Sequence, residues 1–88
     1  MEEALVLQDL EDLAAALDVE IRYEELEGPG GLCRYAGRTC LIISRSLSLA
    51  ERIHLISRNL ARFPLADVYL RPHVRELVEH YCGDDAPP

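Results

Sequence analysis

Between Leu17 and Val19 the spacing of apolar residues changes period, and that change narrows the fold more than any single motif does. Val6, Leu10, Leu13 and Leu17 recur at helical spacing, with Leu7 and Ala14 beside them, while Asp9, Glu11 and Asp12 lie off the stripe. After Asp18, Val19, Ile21 and Tyr23 alternate with Glu20, Arg22 and Glu24, the pattern of a strand with one wet face. A helix over 3–17 therefore runs into a strand. Asp18 is its stop, because aspartate tolerates the left-handed conformation that ends helices. A chain of 88 residues has room for one modest core. With no Trp and a single Phe, that core is aliphatic.

The segment Glu27 to Gly31 holds three Gly and one Pro and is read as a crossover loop between strands. It has neither the Lys nor the helix-opening position of a phosphate-binding glycine loop. Residues 31–44 read as a β-hairpin turning at Ala36-Gly37. A two-residue turn sets Cys33 opposite Cys40. A three-residue bulged loop sets Cys33 opposite Thr39 instead. A cross-strand disulfide or half of a two-Cys metal site is one consequence of the first register; small buried thiols are the other reading of both cysteines.

Ser48 and Glu51 form a capping box that opens the next helix. Leu49, Ile53, Ile56, Leu60 and Phe63 then make one buried stripe, and Pro64 ends it. Pro72 suits the first turn of a last helix over 72–82, with Val74, Leu77, Val78 and Tyr81 on its core face and Gly83 closing it. The expected fold is α+β: an N-terminal helix, a strand plus a β-hairpin in a small antiparallel sheet, and two C-terminal helices packed on one face. Residues 1–83 form the domain and 84–88 a disordered tail.

Charge is unevenly placed. Residues 1–27 carry a net of −9, residues 28–75 a net of +6, and the whole chain −7. All nine basic residues are Arg. The acidic total argues against nucleic acid and anionic membrane as partners. No apolar run approaches the roughly 18 residues that span a bilayer. The N-terminus lacks the basic start of a secretion signal, so a cytoplasmic location with reduced thiols is expected.

Candidate chemistry is sparse. His73, Glu76 and His80 share one face of the last helix, the spacing of a metal site and equally of an ordinary wet face. Cys33, Cys40 and Cys82 are the candidate nucleophiles, with no residue marked as their base. On the capped helix, Leu55, Arg58 and Arg62 face away from the buried stripe. They have the composition of a contact patch with a polar rim, unless the last helix covers Leu55 and makes it core.

The order helix, strand, glycine loop, hairpin and capped helix, entered as LIISRSLSLAERI over 41–53, resembles the ImmA/IrrE family of zincin-like metallopeptidase domains. The family's metal helix, RFTLAHELGH, aligns with RIHLISRNLA at 52–61, and residues 66–72 look like its small-apolar segment ending in Leu-x-Pro. Ser57 and Ala61 stand where the resemblance places the ligand histidines, and Arg58 where it places the catalytic glutamate. The resemblance therefore implies the fold without the zinc, since serine and alanine supply no imidazole and arginine repels the cation. The expected function is a non-catalytic protein-interaction or regulatory module, a relic of a zincin-like fold. It binds a protein partner or a second copy through Leu55, Arg58 and Arg62, without catalytic residues, metal or cofactor. The alternative is a small metal-binding or hydrolytic enzyme using His73, Glu76, His80 or a cysteine.

Overall fold

A computed structural model describes residues 2–84 of the chain, with side chains through Tyr81. It is an α+β fold with the elements α1 (Glu3–Ala16), β1 (Val19–Glu24), β2 (Gly30–Tyr35), β3 (Arg38–Ser44), α2 (Leu49–Leu60) and α3 (Pro72–Asp84). Helix α1 buries Leu7, Leu10, Leu13 and Ala14 and ends where Asp18 takes a φ of 60°. Helix α2 opens on the capping box: Ser48 Oγ accepts the Glu51 amide, and the Ser48 amide donates to the Glu51 carboxylate at 2.9 Å. Those hydrogen bonds hold the Glu51 carboxyl below its usual range.

The three strands form one sheet in the order β1-β3-β2. β2 and β3 make the expected antiparallel hairpin, but β1 pairs with β3 in parallel, with Ile21 beside Leu41 and Tyr23 beside Ile43. The sheet is thus mixed, where a wholly antiparallel one is the expectation from the sequence. The cause is burial. β3 holds Cys40, Leu41, Ile43 and Ser44 out of solvent and takes the centre, where both edges are covered. The 25–29 loop carries the chain across it, the crossover that its Gly and Pro content suggests.

Leu41 and Ile43 face the helices, as do Val19, Ile21 and Tyr23. Helices α1 and α2 pack on that face. Helix α3 stacks on α1 and α2, and among the described residues its backbone runs beside no strand. Its Val74 and Val78 complete one continuous core with Leu10, Ile56 and Leu60. α3 continues through Gly83 to Asp84 rather than stopping at residue 82. Residues 85–88 of the expected tail lie outside the described residues. No helix among the described residues is long and apolar enough to cross a membrane.

Candidate functional site

Three places in the fold carry the candidate residues. The first is the outer surface of α2. Arg58 and Arg62 are exposed, one turn apart. Leu55 is not outward-facing as its helical angle suggests: it is half-buried and packs against the core. Helix α3 lies over α2 and brings Tyr81 edge-on to His54, with ring centres 5.7 Å apart. The patch therefore keeps its cationic rim, but its apolar member lies half-buried against the core. The neighbouring Ser57 is wholly enclosed, and its Oγ meets no hydrogen-bond partner among the described residues. Of the three positions in the metallopeptidase-like alignment, Ser57 is buried, Arg58 exposed and Ala61 half-buried.

The second place is a shallow apolar depression of about 360 Å³ where α3 crosses α1 and α2, lined by Val6, Ile53, Leu77, His73, Glu76 and His80. The structure does bring the two histidines and the glutamate to one face. His73, however, is engaged from α1, its Nε2 lying 2.6 Å from Asp9 Oδ2, and Arg71 reaches the same carboxylate at 3.5 Å. Asp9 thus fastens the start of α3 to α1. His80 packs its ring edge-on to Tyr81. Among the described residues no three His, Cys, Asp or Glu side chains are grouped to hold a metal ion. The Cys82 side chain lies outside the described residues.

The third place is the open face of the sheet, which no helix covers. Side chains alternate between the faces of a strand, so Glu20, Arg22 and Glu24 of β1, Cys33 and Tyr35 of β2, and Cys40 and Ile42 of β3 share this side. The turn decides the register. Ala36 and Gly37 both take positive φ, 53° and 78°, the two-residue geometry whose twist matches the strands. Cys33 therefore sits directly opposite Cys40. Both thiols are free, Cys33 half-buried and Cys40 only 3% exposed. Cys40 Sγ donates to Glu20 Oε2 at 3.7 Å. Burial first, and then the Glu20 carboxylate, push the Cys40 thiol up from its ordinary pKa. Arg22 bridges Glu20 and Glu24 at 3.9 and 3.2 Å, so the β1 side of this face is a ribbon of paired charge.

A network of side chains that no sequence motif marks ties β1 to the helices. Tyr23 Oη donates to Glu11 of α1, and the Arg52 guanidinium of α2 lies 5.1 Å from its ring centre. Arg52 in turn donates to the Leu47 and Arg45 carbonyls. Burial and the Glu11 carboxylate push the Tyr23 hydroxyl well above its ordinary pKa of 10.0. Only the alternation of β1, which turns Tyr23 toward the helices, points to it beforehand.

Comparison with family models, with curated proteins and with solved structures finds no match to this chain.

Proposed function

We propose that the chain is a non-catalytic protein-interaction module whose partner docks as a fourth strand alongside β2. One observation carries this reading: β2 is a bare edge. It pairs with β3 on one side only, and Leu32 and Tyr35 are exposed at 37% and 69%. The bonded pair that closes the turn is Tyr35 with Arg38, so bonding alternates back through Cys33 and Gly31, and the Ser44 amide meets the Pro29 carbonyl at 3.0 Å in the same rhythm. Leu32 and Arg34 then point their amides and carbonyls outward, as an incoming strand requires. The edge has no Pro, no acidic residue and no bulge to blunt it.

Arg34 is exposed and gives the edge a positive charge, which favours an acidic extended segment. A net charge of −7 on each copy disfavours self-association, so the occupant is another protein rather than a second copy. The exposed Arg58 and Arg62 extend the same preference across the domain. On this reading the likeness to the metallopeptidase-like family is one of scaffold. Ser57, Arg58 and Ala61 take no part in chemistry.

Two variants of one residue test the proposal. Arg34→Pro removes an outward amide at an edge position that tolerates proline, whereas Arg34→Ala keeps the amide and removes only the charge. A partner captured from the protein's own cell extract should survive Arg34→Ala with weakened binding and be lost with Arg34→Pro, while circular dichroism shows both variants folded. Loss instead with Arg58→Glu and Arg62→Glu, with Arg34→Pro still binding, moves the interface to α2 and overturns strand addition. A concentration-dependent doubling of mass by light scattering, abolished by Arg34→Pro, makes the occupant a second copy.

A further inference from the structure

The open face of the sheet holds two thiols that the strand-addition reading does not use. Cys33 and Cys40 are directly opposed across the hairpin and leave it on the same side. Their place in the bonding alternation makes them a hydrogen-bonded pair, whose Cα atoms stand about 5.5 Å apart, inside the disulfide range, while their Cβ atoms must draw together by about 1 Å for the bond to close. Both border a depression of about 340 Å³ rimmed by Arg22, Arg34 and Tyr35. The two sulfurs differ in access. Cys33 is half-buried and reachable from that depression, while Cys40 lies almost wholly beneath its neighbours and donates to Glu20.

We propose that Cys33 and Cys40 form a reversible thiol–disulfide site, oxidised by a low-molecular-weight disulfide of the glutathione class. Cys33 loses its proton to water, and its thiolate attacks one sulfur of glutathione disulfide. That sulfur–sulfur bond breaks, and one glutathione leaves as thiolate and takes up a proton. Cys33 then carries a mixed disulfide opposite Cys40. The Cys40 sulfur attacks Cys33 Sγ, the mixed disulfide breaks, and the second glutathione leaves with the proton that Cys40 gives up. Two protein thiols have lost two electrons and two protons, and one glutathione disulfide has become two molecules of glutathione. Glu20 acts against the second attack, because its carboxylate disfavours the Cys40 thiolate. Glu20 is thus a positioning residue that keeps the resting pair reduced. The cross-link would staple β2 to β3 at the base of the edge, a consequence separate from what docks there.

The test uses the full chain, reduced and then treated with glutathione disulfide near neutral pH, quenched by alkylation and cut with trypsin. Cleavage after Arg22, Arg34, Arg38 and Arg45 puts the two cysteines on different peptides, residues 23–34 and 39–45. A monomer in which these peptides are disulfide-linked is the expected result. Cys40→Ser should stop at a glutathione adduct on Cys33, and Glu20→Gln should close the wild-type disulfide roughly threefold faster or more at neutral pH. A wild-type chain that accumulates the Cys33 adduct without the linked peptides overturns the proposal. So does linkage only through Cys82, or no reaction at Cys33. The peptide map of the wild-type chain decides this even if Cys40→Ser fails to fold.

Discussion

β1 and β2 flank the same central strand and are finished differently. β1 alternates Glu20, Arg22 and Glu24 along its open face and is fastened at its far end by side chains from three directions. Tyr23 donates to Glu11 of α1, Arg52 of α2 lies over its ring, and Arg45 donates its Nε to the Tyr23 carbonyl at 3.2 Å. Among the described residues no Leu32, Arg34 or Tyr35 side chain of β2 enters a hydrogen bond or ion pair. β2 is held by its ladder to β3 and by packing on α2. Edges of the first kind are how folded proteins keep other chains away; an edge of the second kind is a place for one to attach. The difference teaches that the same apolar–polar alternation yields a closed or an open edge according to which side chains the rest of the fold can bring to it.

The sharpest way to break this contrast is at the start of β2. Gly30 has a φ of 122°, and a Cβ placed there would lie 1.9 Å from the Ile42 carbonyl oxygen. Gly30→Ala forces backbone apart and should cost about 3 kcal/mol, read from urea unfolding. The loss should be local. Hydrogen exchange should show the amides of Gly31, Cys33 and Tyr35 unprotected while those of β1 stay slow. Equal loss of protection on β1 and β2 would mean that the two edges unfold as one unit and that their difference is only cosmetic.

The middle-sized test sits on β1. Tyr23→Phe removes the hydroxyl that Glu11 accepts and should cost about 1 kcal/mol, allowing for the partial exposure of the pair. It should also change the alkaline limb of stability. Tyr23 is held protonated in the fold, with its pKa raised above 10.0. The unfolded chain therefore loses its proton first as pH rises. The contribution of Tyr23 is fully present below about pH 10 and is lost progressively above it. The Phe variant should lack that decline. An unchanged alkaline limb would show that the Glu11 contact does not secure β1.

Much of this architecture is legible in the chain itself, and the reasons divide by range. The capping box at Ser48 and Glu51, the stop at Asp18 and the alternation of β1 are local, and local spacing finds them. The turn at Ala36-Gly37 leaves two registers open from sequence, and positive φ at both residues selects the one that joins Cys33 to Cys40. Strand order is not local. β1 and β2 are consecutive, yet β3 lies between them because its apolar run needs cover on both edges. Leu55 fails for a related reason. Its helical angle turns it from the buried stripe, yet it packs half-buried against the core, because how far the neighbouring elements wrap around α2 is not carried by helical spacing. Charge pairing is partly visible: the acidic first segment meets the basic middle at Asp9 with Arg71 and at Glu20 with Arg38.

The smallest effect tests whether β1 is guarded by its cap or by its charges. Arg45→Ala frees the Tyr23 carbonyl and removes one exposed hydrogen bond, for about 0.5 kcal/mol or less. The backbone of residue 45 still donates to the Glu24 carbonyl at 2.9 Å and still accepts from Arg52, so the corner between β3 and α2 stays in place. If alternating charge is the guard, the variant should remain monomeric by light scattering at every concentration at which the wild-type chain is. Glu20, Arg22 and Glu24 would still demand a matching set of charges from any added strand. If association instead appears in Arg45→Ala and is not reduced by Arg34→Pro, then β1 has become the sticky edge. The guard was then the capped carbonyl, and β1 and β2 differ by one side chain rather than by the pattern along the whole strand.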